Sequence, residues 1–229
     1  MSDYNIKEEA VVEKTSDYNV KEEVVKQERY YYEEEREFTI HKTSMFSQGD
    51  GFMIYDSKGD IIFRVHSYGP IKQPVILMDR FGKPLITLLP KRPTLHHRWE
   101  GFIGEKTRHD QQPPIFSIWK SIKMVGRRGS TMIVQVHDGS HAMYEIEGCF
   151  NERSCNVYYY LSDDHTISEK FLVAEIKRKV ELTRNIMLGK DVFSLNVKAG
   201  FDAAFAMALV LALDRIDGDV DDDVSIDPL

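Results

Sequence analysis

Between Phe38 and Val197 the chain is a series of short apolar runs separated by turn-forming clusters about every ten residues, the pattern of an antiparallel β sandwich or barrel. Twelve candidate strands lie near 38–43, 52–55, 61–66, 75–78, 85–90, 98–103, 115–119, 131–137, 142–147, 156–161, 169–177 and 191–197. Thr131–Val136 and Ala142–Glu147 alternate between an apolar and a mixed face, as half-buried strands do. Ser57–Asp60, Arg80–Lys83, Gly126–Gly129, Asp138–Gly139 and Asp163–Asp164 supply the positive φ or side-chain caps that tight turns need. From Glu175 to Leu188 the periodicity also fits a helix face carrying Ile176, Val180 and Ile186; a strand end and a loop fit it better.

The pattern then changes completely. Ala203 to Leu213 contains no polar residue, so a helix over about 201–216 has no stripe to give to water and must be buried on all sides. Eleven such residues span roughly 16 Å, whereas a bilayer core needs about 20 residues, so no transmembrane span is expected. Asp202 stands where a carboxylate can cap the first free N–H groups, and Gly218 stands where the helix can end. Twelve strands followed by one wholly apolar helix predict a mainly β fold, an antiparallel barrel closed around a buried helix. Closure removes exposed sheet edges, and the helix fills an interior too wide for strand side chains alone. On this reading Ala206→Asp or Ala208→Arg abolishes soluble folding.

Charge divides the chain into the same three parts. Residues 1–37 carry six Lys/Arg against twelve Asp/Glu, residues 214–229 one against seven, and residues 38–213 twenty-three against eighteen. The barrel over 38–218 is thus mildly basic between an acidic arm, 1–37, and an acidic tail, 219–229. The arm repeats Ser2–Glu9 as Ser16–Glu23 and continues into Tyr30-Tyr31-Tyr32; two copies are too few for a solenoid, and the Glu/Lys bias predicts disorder. The start of the chain lacks the basic and apolar regions of a signal peptide, and Cys149 and Cys155 form no ligand motif, so an intracellular, cytoplasmic protein with reduced thiols is expected.

Several phrases carry a family resemblance. Val65–Pro70, Leu77–Asp79, Leu85–Leu88, Lys91–Phe102 and Gly200–Met207 onward through Leu213–Ile216 resemble the LURP-one-related proteins of plants, over about Phe38 to Gly218. The resemblance implies a tubby C-terminal-like fold, a twelve-stranded barrel around a hydrophobic helix, shared with phospholipid scramblases. It also implies a link to plant defence and no catalytic activity. It says nothing about the duplicated arm.

The residues themselves also argue against chemistry, with no cofactor and no metal expected. His96 and His97 are adjacent and point to opposite faces of a strand, while His137 and His141 flank one turn without a third ligand. No Gly-x-Ser-x-Gly elbow and no strand-to-helix phosphate loop occurs. Asp217, Asp219 and Asp221 begin like an EF-hand loop, but Asp222 replaces its glycine and Pro228 its final glutamate. Trp99 and Trp119 fit barrel packing, and no nucleic-acid motif is present. The remaining candidates are basic groups at strand ends, Lys91 with Arg92, Arg127 with Arg128, and Lys177, Arg178 and Lys179. Such groups suit phosphate contacts at a phosphoinositide headgroup or an anionic membrane, a mode the tubby resemblance implies without assigning residues. The leading expectation is a non-enzymatic scaffold for an unknown protein partner in defence or stress signalling. The alternatives are a peripheral phosphoinositide-binding module at the plasma membrane and, more remotely, scramblase-like activity; a nuclear location also fits.

Overall fold

The computed structural model describes residues 7–10, 26–42, 51–67, 74–91, 98–107, 110–121, 130–140, 142–163, 166–167, 169–181 and 186–218. The apolar runs form twelve barrel strands: β1 (Arg36–Lys42), β2 (Phe52–Tyr55), β3 (Ile61–Ser67), β4 (Val75–Asp79), β5 (Pro84–Pro90), β6 (Trp99–Ile103), β7 (Phe116–Lys120), β8 (Ser130–Val136), β9 (Ala142–Cys149), β10 (Ser154–Asp163), β11 (Phe171–Arg178) and β12 (Val192–Val197). Each pairs antiparallel with its sequence neighbours, and β12 pairs with β1, so the meander closes on itself. Thr166–Ile167 adds a short pairing beside the end of β10.

Register places one face of every strand inside. Ile40 opposes Ile54 and Phe193, Leu77 opposes Val65 and Ile86, and Val157 opposes Ile146 and Ala174, all of them buried. Cys149 opposes Ser154, while Cys155 opposes Gly148 on the alternate face. The two thiols therefore point to opposite sides of the sheet and both are free.

The helix α1 (Ala203–Gly218) runs through this interior. Ala203, Ala204, Ala206–Leu213 and Ile216 are all buried, and Phe205 packs edge-on against Phe116 of β7 at 5.1 Å. Asp202 Oδ1 accepts hydrogen bonds from the amides of Ala204 (2.8 Å) and Phe205 (3.3 Å), the expected N-cap. The cap has a second part from far away in sequence, because the Ala203 amide donates to Tyr30 O at 3.0 Å and the Gly200 amide to Tyr32 O at 2.9 Å.

Parts of the 1–37 arm, for which composition predicts disorder, lie among the described residues. Lys7–Ala10 pairs with Lys26–Arg29, Tyr30 stacks edge-on to Phe63 at 4.9 Å, and Tyr32 lies 5.8 Å from Phe38. Composition averaged over the arm conceals two tyrosines, Tyr30 and Tyr32, whose half-buried rings pack against the core while their backbone carbonyls accept from Ala203 and Gly200 at the entry to the helix. The Glu175–Leu188 stretch also differs from a plain loop. After β11 ends, Val180–Glu181 pairs with Ile186–Met187 as a small ribbon.

Candidate binding surface

With α1 running through the barrel interior, the described groups open to solvent lie on the outer wall and the two ends. In a simple meander alternate connections share an end. One end receives the termini of β1, β3, β5, β7, β9 and β11 and the last turn of α1; we refer to it as the basic end. The other, the arm end, receives Tyr30–Tyr32 and the start of α1.

Among the described residues the connections at the basic end hold Lys91, Arg98, Arg153, Lys179 and Lys190, against Glu152, Glu181 and Asp191. At the arm end acidic and basic residues nearly balance, and Glu33, Glu34 and Glu35 are exposed there. Residues 219–229, with Asp219, Asp221, Asp222, Asp223 and Asp227, follow α1 and lie outside the described residues, as does the EF-hand-like pattern beyond Asp217.

Of the basic groups singled out in the sequence, topology assigns Lys91, Lys177, Arg178 and Lys179 to this end. Lys91 closes β5 and Lys177 and Arg178 close β11, while Lys179 follows directly. Arg92, Arg127 and Arg128 lie outside the described residues. Each described cation has a partner. Lys91 Nζ is 2.7 Å from Glu100 Oε1, Lys177 Nζ is 2.9 Å from Glu175 Oε2, and Lys179 Nζ contacts Glu37 and Thr39 Oγ1. Arg178 donates from Nη2 to Leu188 O at 3.0 Å. Exposed pairs of this kind contribute about 0–1 kcal/mol, so a ligand phosphate can compete for the ammonium groups.

Further groups at this end were not legible in the sequence. Arg153 takes φ 52°, and its guanidinium lies 4.2 Å from the Phe150 ring centroid and 4.4 Å from that of Phe193. Its Nε donates to Lys190 O at 2.9 Å. Burial lowers its pKa, opposed by the charges of Asp214, Asp191 and others nearby. Lys42 holds Asp214 of the helix at 2.8 Å. Arg98 lies over Trp119 at 4.6 Å with its Nε buried and without a hydrogen-bond partner. Ile186 and Met187 of the ribbon are both more than half exposed. They are successive residues, so they stand on opposite faces of the ribbon and the barrel covers neither.

His137, weighed in the sequence as a metal ligand, makes a hydrogen bond within the barrel wall. His137 Nε2 is 2.9 Å from Ser117 Oγ, and Glu100 is opposite Ser117 in the register. Ser117 is wholly buried, and Glu100 is tied to Lys91. A serine that no substrate can reach is a hydrogen-bond partner, not a nucleophile. Burial, with Arg98 next in weight, lowers the His137 pKa. Among the described residues no three His, Cys, Asp or Glu side chains could hold a metal ion, and no helix is long and apolar enough to cross a membrane. His96, His97 and His141 lie outside the described residues.

Comparison with known proteins agrees with this architecture. A crystal structure of a protein from Arabidopsis thaliana matches with a TM-score of 0.54 at 24% identity, covering 82% of this chain and 94% of that one, which supports the fold. Protein LURP-one-related 12 of Arabidopsis thaliana is 52% identical over 83% of this chain and 82% of its own length. Protein LURP-one-related 5 of the same plant is 49% identical over 83% and 87% respectively. The LURP-one-related family profile matches residues 36–214, from the first residue of β1 to the helix aspartate that Lys42 holds, and this chain belongs to that family.

Proposed function

We propose that this chain is a non-catalytic binding module, a scaffold or adaptor in plant defence or stress signalling, that receives its partner at the basic end. The carrying observation is the asymmetry of a barrel with α1 in its interior. Among the described residues Lys91, Arg98, Arg153, Lys179 and Lys190 occupy the connections at one end against Glu152, Glu181 and Asp191, and the exposed Ile186–Met187 ribbon belongs to one of these connections. Apolar anchors within a ring of charge are the composition of a protein contact surface, where anchors supply affinity and charges supply orientation and rate.

Proximity labelling in plant cells tests this reading with the full chain, an Ile186→Ser/Met187→Ser variant and a variant lacking residues 219–229. The expected result is a defined neighbour set that depends on Ile186 and Met187 and is enriched when the acidic residues are removed. Identical neighbours for all three proteins refute it.

A second reading is favoured by the same excess of cations. The basic end engages the headgroups of an anionic membrane, phosphoinositide in particular, from the cytoplasmic side. Flotation with phosphoinositide vesicles separates the two. Binding lost in Lys91→Ser/Arg92→Ser/Arg127→Ser/Arg128→Ser supports the lipid reading, and equal flotation of variant and parent rejects this patch. The exposed Ile186 and Met187, apolar anchors that a headgroup does not need, are why the protein reading stands first.

A further inference from the structure

The turn between β4 and β5, at the arm end, carries the most exposed large apolar side chain described. Phe81 is 80% accessible. The turn itself is rigidly built. Asp79, only 7% exposed, directs its Oδ1 at two amides, accepting from Phe81 N and Lys83 N at 2.8 Å each. Gly82 takes φ +89° and donates to Asp79 O at 3.1 Å, and Asp79 N donates to Lys83 O at 3.0 Å.

The neighbouring turn between β2 and β3 is the same object with a different tip. Asp56 Oδ1 accepts from Lys58 N and Asp60 N at 2.9 Å each, Gly59 takes φ +86° and donates to Asp56 O at 3.1 Å, and Asp56 N donates to Asp60 O at 3.0 Å. The position of Phe81 is there filled by Lys58. Backbone geometry therefore demands aspartate and glycine but nothing at the tip, and a lysine serves it well. A phenylalanine at that tip gains no burial from folding, and the Arg80 guanidinium 4.7 Å from its ring centroid leaves the ring open.

We infer that the Asp79–Lys83 turn is a second docking surface, for a folded protein that offers an apolar pocket rimmed by carboxylates. Phe81 is the anchor, held ready by hydrogen bonds so that little ordering entropy is lost on binding. Arg80 and Lys83 flank the ring, while the Asp79 charge is turned inward onto amides and does not oppose an acidic rim. A membrane is the weaker occupant for two reasons. A single ring gives marginal insertion, and the exposed Glu33, Glu34 and Glu35 stand at this same end, where anionic lipid repels them. The surface is distinct from the basic end, so the barrel is able to bridge two partners.

The test places the photocrosslinker p-benzoylphenylalanine at position 81, or at position 58 as the control, in the full chain in plant-cell extract. The expected result is a discrete adduct from position 81 and none from 58. The adduct is identified, the partner is produced separately, and its affinity is measured. Phe81→Ser then weakens binding by about tenfold or more, Arg80→Ser weakens it further as salt is raised less steeply, and the unfolding midpoint of each variant stays at the parent value. Capture alone does not count. No adduct at 81, equal adducts at 81 and 58, an adduct to lipid or to a second copy of this chain, or unchanged affinity in Phe81→Ser each overturns the inference. Charge removal at Arg127 and Arg128 leaves the position-81 adduct intact, so this surface and the basic end fail separately.

Discussion

Gly101 faces the interior on β6, opposite Phe116 on β7, and a methyl group at this position has nowhere to go. An added Cβ would meet the Phe116 ring at 2.1 Å from Cε1, 2.5 Å from Cζ and 2.7 Å from Cδ1. Ordinary carbon contacts are about 3.5–4.0 Å, so the ring must retreat by roughly 1.5 Å. It has no free direction, being wholly buried with Phe205 of α1 edge-on at 5.1 Å. Gly101→Ala is therefore an overpacking substitution and destabilises by about 1–3 kcal/mol, despite the gain that replacing a strand glycine otherwise brings. For a domain of this size that is roughly 2–4 °C in Tm for each kcal/mol. Guanidinium unfolding of the parent, Gly101→Ala, Phe116→Leu and the double variant measures the term directly. Phe116→Leu vacates the space the methyl needs, so the double variant costs less than the sum of the singles by about 0.5–3 kcal/mol. A Gly101→Ala protein within about 0.5 kcal/mol of the parent, or an additive cycle, refutes the packing argument.

Further expectations rest on other parts of the molecule. Ala206→Asp or Ala208→Arg places an unpaired charge beside strands with no water, and both proteins fail to fold in soluble, cooperative form; a sharp unfolding transition in either refutes the buried-helix account. The His137 pKa is lowered in the folded state, so the unfolded chain takes up the proton first as pH falls below about 6.5. His137 therefore makes stability decline on acidification through that window, and denaturant midpoints of His137→Gln fall less steeply than those of the parent; parallel curves dismiss the effect. Burial raises the Cys155 thiol pKa to about 12, and it points into the barrel, so a thiol reagent at neutral pH modifies Cys149 in the native protein and Cys155 only after unfolding, as peptide mapping reads out. Tyr30→Ala removes the ring against Phe63 and lowers the unfolding midpoint, whereas truncation before residue 26 does not; equal effects of the two changes refute the clamp.

The places where the sequence was readable share one property, which is that the governing interaction is local. Strand positions followed from alternation, and their ends shifted by no more than two residues because turn signals bracket each run. Asp202 was recognisable as a cap because its partners are the amides of Ala204 and Phe205. Phe81 illustrates the opposite case. Its turn was readable from Arg80-Phe81-Gly82-Lys83, but a phenylalanine beside a strand reads as core, and only folding shows that no other element covers it. Tyr30 and Tyr32 read as part of the acidic arm because nothing near them in sequence says that they pack against Phe63 and Phe38. The basic groups were recognised as cations, but their pairing was hidden, since Lys179 finds Glu37 across 142 residues of separation.

By itself the sequence determined the twelve barrel strands and the closed barrel around an apolar helix, because hydrophobic period and the absence of any polar stripe on Ala203–Leu213 admit few packings, while the family was legible in specific phrases such as Lys91–Phe102 and Gly200–Met207. Only the tertiary structure decided which end each connection occupies, which lysines meet carboxylates and which apolar residues stay in water. Those outcomes depend on strand order and on residues distant along the chain. The interior is specified by a pattern repeated in every strand, whereas a surface is an assembly of single residues brought together by closure.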